Sequence, residues 1–389
     1  MTGKAFKFLE KNKEEEEFTF RSVLAKAQVF ARMSPDDKAL LVTSLQNYLL
    51  DQQIGMCGDG ANDCGALKAA DVGISLSDAE ASIAAPFTSK IPNISCVVHL
   101  IREGKSSLVT AFQAFKFYQL YSMVEFFTCF ILYTNLLSML KGMWLYNDMC
   151  VLFPLAILQA RTGSYPKLTA DIPTASLFYT PVVMSVLIAI LIQISFIAFI
   201  CVNVTTQAFY IPACNLYGGT DFSHIYMVSY QAVAIFMVIN FQAIVGAVSF
   251  SLSKPYRLPI WTNKPYFLSL ILLSLFDIWI VFTPGGCNVP CGVGCACDCP
   301  QGEASWPYKI FNMWNFIDAS GTSHYHYRYF IFGLIVLNSL LTYCIENLIV
   351  HKVTKRYDKK LEEKKQKKFD DIMEALREPE LSLHMLEIR

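Results

Sequence analysis

Gln53-Ile54-Gly55-Met56-Cys57-Gly58-Asp59-Gly60-Ala61-Asn62-Asp63 carries more chemistry per residue than any other stretch of this sequence. Gln53–Cys57 is short and apolar enough for a strand, and Cys64–Ala70 reads as a helix. The loop Gly58–Asp63 therefore falls at the carboxyl end of a strand, the edge at which parallel α/β sheets bind ligands. Gly58 and Gly60 permit a tight turn and close backbone approach. The carboxylates of Asp59 and Asp63 are hard oxygen donors that suit Mg²⁺, directly or through water. An Asp-Gly turn followed by an Asn/Asp helix cap would use the same residue types without any chemistry, so the surroundings have to decide.

Upstream, Ser34-Pro35-Asp36-Asp37 is a helix start: Ser caps, Pro fits the first turn and the acids complement the helix dipole. That helix is expected to run to about Leu50 and carries Lys38 near its beginning. A cation there could neutralise phosphoryl oxygens as charge develops in transfer, although a surface Lys on a capped helix would look the same. Downstream, Val72–Leu76 is a second strand. Helix alternating with strand predicts a parallel α/β sheet over the amino-terminal part. The acidic run Glu14–Glu17 reads as a solvated loop.

The rest of the chain is different in kind. Of 389 residues, 54% are hydrophobic and 14% aromatic, with a mean hydropathy of +0.37; a soluble chain sits nearer about 45–50% apolar. The excess begins after Lys116. Six spans are expected, over 111–140, 142–160, 181–202, 226–250, 266–282 and 329–350, each near the ~20 residues that cross a bilayer. Met1-Thr2-Gly3-Lys4 leads into charged sequence with no apolar core segment, so insertion is expected to use the internal spans. Arg161, Lys167, Lys254, Arg257 and Lys264 fall in loops on the side of the α/β part, and the opposite loops hold few cations. The positive-inside rule then puts the α/β part and the tail in the cytosol. Nine Lys/Arg against three acids lie between His351 and Phe369; the tail suits either contact with anionic lipid or a solvated helix of mixed charge. A formal net charge of zero argues against a nucleic-acid partner by bulk electrostatics.

Taken together, Arg32-Met33-Ser34-Pro35-Asp36-Asp37-Lys38 and Met56-Cys57-Gly58-Asp59-Gly60-Ala61-Asn62-Asp63-Cys64-Gly65-Ala66-Leu67-Lys68-Ala69-Ala70-Asp71 resemble the lysine segment and hinge motif of a haloacid-dehalogenase-like phosphoryl-transfer domain. Attached to membrane spans, such a domain resembles a P-type ATPase. Cys64-Gly65 stands where most ion pumps have Ala-Pro. With Gly73-Ile74-Ser75-Leu76-Ser77 and Ala85-Pro86-Phe87-Thr88-Ser89, this form is similar to type V, subgroup B, whose members are associated with polyamine transport from endosomes and lysosomes into the cytosol. The resemblance is dense from about Ala27 to Tyr133. It implies Asp59 as Mg²⁺ ligand, Asp63 and Asn62 as organisers of the metal and phosphate site, Gly58 and Gly60 as the backbone around it, and Lys38 as the phosphoryl-contacting cation. Mg²⁺ and ATP are the implied cofactors, with the nucleotide site mostly outside this chain. The family's phosphorylated Asp lies in an Asp-Lys-Thr-Gly-Thr segment, and no Asp-Lys-Thr occurs here. The expected organisation is a partial phosphorylation domain of haloacid-dehalogenase-like, Rossmann-like fold over 1–101, a stalk and six-helix all-α membrane bundle over 102–350, and a basic tail over 351–389. That is the carboxyl-terminal portion of a pump, expected not to autophosphorylate alone.

An ionisable side chain inside a span is costly and thus a functional candidate. Glu125 lies one turn beyond Tyr121 on the same helical face, and Asp148 lies six residues before Pro154, which loosens backbone pairing. Two carboxylates beside an aromatic ring suit an elongated polycation; an interhelical polar contact is the plainer reading. The resemblance supports Tyr121 and Asp148, but family members often have Gln where Glu125 stands and Asp where Lys141 stands. Asp277 and Glu346 are further ionisable residues, the first read equally as packing or path, the second as interfacial. Cys214, Cys287, Cys291, Cys295, Cys297 and Cys299 share the non-cytosolic side, where three disulfides are expected with fifteen pairings open; zinc is the alternative. Cys57 and Cys64 read as packing residues. Asn203-Val204-Thr205 is a luminal glycosylation sequon close to the membrane. The expected partners are membrane lipids, a cationic small molecule, and the missing amino-terminal part or a complete pump, in an endosomal, lysosomal or vacuolar membrane. Competing readings are an inorganic-cation pump and a non-catalytic membrane protein that regulates a complete pump.

Overall fold

The computed structural model describes residues 1–48, 53–76, 83–212, 229–251, 253–283, 311, 316 and 324–375. Its contacts divide the chain into two units, one of Met1–Glu103 with the chain from Glu363, the other Gly104–Glu362.

In the first unit, α1 (Gly3–Lys11), α2 (Glu17–Lys26) and α3 (Pro35–Tyr48) surround a small apolar core of Phe6, Phe20 and Leu24. Phe6 packs on Phe20 at 6.0 Å between ring centres, and Phe20 meets Tyr48 edge-on at 5.3 Å. Glu14 to Glu16 are exposed in the turn before α2, and Glu17 pairs with Arg21 one turn on at 2.5 Å. The start of α3 is a reciprocal cap: Ser34 Oγ accepts from the Asp37 amide at 3.3 Å, and the Ser34 amide donates to Asp37 Oδ2 at 3.1 Å. Both bonds satisfy amides that the first helical turn leaves without partners.

Strands β1 (Gly55–Gly58), β2 (Val72–Ser75) and β3 (Phe87–Thr88) form a parallel sheet in chain order. Gly55 pairs with Val72 and Cys57 with Ile74, while Ile74 pairs with Phe87. A 3₁₀ turn (Ala61–Asp63) and α4 (Cys64–Ala69) make the crossover between β1 and β2. A methyl at Gly73 would sit 2.5 Å from the Leu67 carbonyl oxygen, so glycine is what lets β2 lie against α4. The alternating α/β organisation expected from sequence is therefore present, on a three-stranded parallel sheet.

Most of α5 (Ser95–Thr134), a helix of 40 residues, belongs to the second unit. It ends six residues before the expected Leu140, because Leu136 adopts φ 58 and the Leu137 and Leu136 amides fold back to the Leu132 and Tyr133 carbonyls. Those two bonds are a Schellman stop, which the apolar run Leu136-Leu137 hides from a composition reading. Next come α6 (Lys141–Leu145), a π-helical segment (Tyr146–Leu152) and α7 (Phe153–Gln159). The wide turn is where Pro154 requires it: proline has no amide to give and its ring crowds the preceding carbonyls.

Among the described residues, four helices are long and apolar enough to cross a membrane: Thr180–Thr205, Tyr230–Ser249, Lys264–Phe282 and His326–Leu361. The first three are α8, α9 and α10; the fourth comprises α11 (His326–Cys344), a π-helical turn (Ile345–Val350) and the start of α12 (His351–Ala375). The first two expected spans correspond to α5 and to the α6–α7 segment, which pack into the same apolar core through Phe117, Leu120, Val151 and Leu155. Nearly all of α9 is buried, whereas most of α10 is not. The central helix is thus α9, and α10 presents most of its surface outward.

Polar ties cross this bundle. Arg257 is fully buried, bonded to Gln113 Oε1 and, at 2.7 Å, to the Gln159 carbonyl. Arg328, 1% exposed, donates to the Val281 carbonyl at 2.7 Å, where the end of α10 offers unpaired carbonyls and negative dipole. Lys116 pairs with Glu346 at 3.0 Å, and Ser185 Oγ donates to the same carboxylate at 2.8 Å.

Candidate functional site

At the carboxyl end of β1, Lys38 Nζ lies 2.7 Å from Asp63 Oδ1. Capping fixes where α3 begins and therefore where Lys38 stands. The 3₁₀ turn after β1 folds Asp63 inward, leaving it 8% exposed. Gly58 is buried against it: a methyl there would fall 2.6 Å from Asp63 Cβ and Oδ2. Gly60 differs from expectation. Its backbone is extended at φ −127 and an added methyl would meet nothing within 4 Å, so the turn itself does not require glycine at that position. Asp59 and Asn62 are exposed, and among the described residues Asp59 has no hydrogen-bond or ion-pair partner. Burial pushes the Cys57 thiol up, which suits a packing residue and not a thiolate nucleophile.

Within the second unit, Tyr121 OH donates to Asp148 Oδ1 at 2.7 Å. Tyr121 and Glu125 share a small cavity with Phe117, Asn147, Ile239 and Gln242. Glu125 has no hydrogen-bond partner among the described residues. A second phenol–carboxylate pair lies deeper: Tyr146 OH donates to Asp277 Oδ1 at 2.7 Å, with Asp277 1% exposed. The bundle thus brings together the three residues expected to bind substrate and gives Asp277 a packing partner.

Among curated proteins, the polyamine-transporting ATPase 13A3 of Mus musculus is 39% identical over 270 residues, 66% of this chain and 22% of that protein. The vacuolar cation-transporting ATPase YPK9 of Saccharomyces cerevisiae is 40% identical over 285 residues, covering 71% and 19%. The probable cation-transporting ATPase 13A4 of Homo sapiens is 36% identical over 304 residues, covering 72% and 25%. No family model matches. This chain belongs to the type V P-type ATPases. It spans about a fifth of the length of the curated relatives it matches.

P-type ATPases use Mg²⁺, and the donor set on this type V chain fits it. The ion takes one or two carboxylates and completes its shell with phosphate and water oxygens. Asp59 offers an exposed carboxylate without a protein partner, and Asp63 stands beside it in the same turn. Among the described residues no group of three or more His, Cys, Asp and Glu is placed to hold a metal ion.

Two polar residues of the cavity escaped the sequence reading, Asn147 and Gln242. Both are uncharged and sit in apolar runs, so only packing reveals them. Asn203 is tied into the fold, its Oδ1 accepting from Tyr327 OH at 2.8 Å. Cys214, Cys287, Cys291, Cys295, Cys297, Cys299 and the residues from 376 onward lie outside the described residues.

Proposed function

We propose that this chain supplies the metal-and-lysine half of a haloacid-dehalogenase-like phosphoryl-transfer site and six membrane helices of an ATP-driven polyamine pump. The observation that carries the reading is the Lys38–Asp63 ion pair beside partnerless Asp59 at the carboxyl end of β1. Such an arrangement holds a cation and an open carboxylate where a phosphoryl group would lie. Lys38 keeps Asp63 oriented and offers positive charge to the transferring oxygens. Asp59 and Asp63 would hold Mg²⁺, and Asn62 and the Gly58–Gly60 backbone line the same turn. When bound, Mg²⁺ supplies charge neutralisation and templating. The nucleophilic Asp and most of the nucleotide site belong to sequence outside this chain, so the chain alone does not form a phosphoenzyme.

In the membrane, α5, the α6–α7 segment and the four long apolar helices make six crossings, with the phosphorylation domain and tail cytosolic in an endosomal, lysosomal or vacuolar membrane. The Tyr121–Asp148 pair with Glu125 supports a polyamine substrate, moved from lumen to cytosol: two acidic groups and a ring suit ammonium groups on one flexible stem. The relatives' names support cation transport in general terms.

ATPase assays of the complete pump test this reading. Spermine should stimulate hydrolysis, and Asp148→Asn should raise the spermine concentration needed by about tenfold, the effect of losing one charge-assisted hydrogen bond. Lys38→Met should lower phosphoenzyme formation by about 10²-fold or more. Stimulation by Ca²⁺ with no response to polyamines would replace the polyamine reading by the inorganic-cation one.

A further inference from the structure

Gln242 lies on the central helix α9 and is 1% exposed. Its amide nitrogen donates to the Gln193 carbonyl at 3.2 Å, which fixes the amide orientation, because the carbonyl end could not donate there. That leaves Oε1 as the other end of the group, buried and, among the described residues, without a hydrogen-bond partner. A buried acceptor in that condition is costly, and such atoms call for a missing donor. The same residue lines the cavity that holds Glu125, whose carboxylate also lacks a hydrogen-bond partner, and Asn147, 4% exposed. The cavity volume is ≈ 20 Å³, room for about one water molecule.

We propose that Gln242 completes a seat for one primary ammonium group, shared with Glu125, Tyr121 and Asn147, and that this seat selects polyamines with unmethylated ends. The inference rests on the polyamine reading above and adds a residue and a selection rule to it. A primary ammonium is about the size of a water molecule and carries three donors and no acceptor. It therefore matches the acceptors that the cavity offers, the Glu125 carboxylate, Gln242 Oε1 and the Asn147 side-chain carbonyl. The hydrocarbon stem would leave between apolar walls such as Phe117 and Ile239. A terminal trimethylammonium has no donor and exceeds the available space, so it forfeits both terms.

The test uses the complete pump and compares ATPase stimulation by spermidine with that by its terminally trimethylated analogue. Wild type should respond to the first with an apparent KM at least about tenfold below that for the second, the value of one or two hydrogen bonds to a charged group. Gln242→Leu should raise the spermidine KM by about tenfold while lowering kcat far less, and Gln242→Glu, which keeps an acceptor, should restore it. Gln242→Ala, which enlarges the seat, should narrow the difference between the two amines. Equal KM values for the two amines in wild type, or an unchanged KM in Gln242→Leu, would mean that the cavity holds only a water molecule. If no polyamine stimulates wild type, it is the underlying transport reading that fails, and the two failures are distinct. Should Gln242→Leu not fold, the wild-type methylation comparison and the Glu and Ala variants still decide.

Discussion

A methyl group added at Gly58 would occupy the space of the Asp63 side chain, 2.6 Å from its Cβ, whereas one added at Gly60 would meet nothing within 4 Å. Two glycines that look equivalent in the motif therefore differ in what they do. Gly58→Ala should destabilise the protein by about 1–3 kcal/mol through overpacking and displace the partner of Lys38. Gly60→Ala should stay within about 0.5 kcal/mol of wild type. Thermal denaturation of both variants checks the contrast; equal losses would show that the turn needs both. Asp37, next to Lys38, is a second case. Its ion pair with Lys7, 2.9 Å away, together with hydrogen bonding from Ser34, holds its carboxyl below the ordinary 3.8. A carboxyl depressed in the folded state adds stability that is complete above about the unfolded value and is lost as pH falls through the folded one. Asp37→Asn should thus lower the thermal midpoint at neutral pH, with the gap to wild type closing below about pH 4. With Lys7 58% exposed, solvent screening limits the pair to about 0.2–1 kcal/mol. A gap that persists unchanged at pH 2 would assign the effect to the capping geometry instead.

At the scale of elements, three helical segments meet at one carboxylate. Lys116 of α5 and Ser185 of α8 both donate to Glu346 in the π-helical turn after α11, and Lys116 also lies 5.3 Å from the centre of the Phe250 ring. The Lys116 and Glu346 side chains are 12% and 13% exposed, so removing one leaves a largely desolvated charge behind. Lys116→Met should cost about 3 kcal/mol, and Lys116→Met with Glu346→Leu should recover most of it, the pattern of a buried ion pair. Thermal midpoints of the single and double variants in detergent measure this; additive losses would show that the pair is energetically independent. Segment ends follow a similar logic. Leu136, in the left-handed region, stops α5 where a run of apolar residues would continue it, and Pro154 accompanies the π-helical segment that carries Asp148.

On the scale of the molecule, the charge distribution of the loops predicts a cytosolic amino terminus and tail. Tags placed before Met1 and after Arg389 should both be digested by protease added outside sealed vesicles whose cytosolic face points outward; digestion of one alone would require an odd number of crossings. The loop charges also show where one-dimensional reading stops. Arg257 counts as a loop cation in the topology argument, yet it is fully buried and ties Gln113 to Gln159. Arg328 likewise closes the end of α10. By itself, the sequence determined the strand–loop–helix around Asp59, the capped start of α3 and the long apolar helices from Thr180 onward. Each of these depends on hydrogen bonds or solvent transfer within one short segment, so local residue types suffice. Only the tertiary structure decided that Lys38 meets Asp63, that Tyr121 meets Asp148 and not Glu125, and that Asp277 takes Tyr146 as partner. It alone set Gln242 beside Glu125 in a cavity. Partners such as Tyr146 and Asp277, 131 residues apart in sequence, are selected by how helices pack, and no local pattern encodes which face of one helix will meet which face of another.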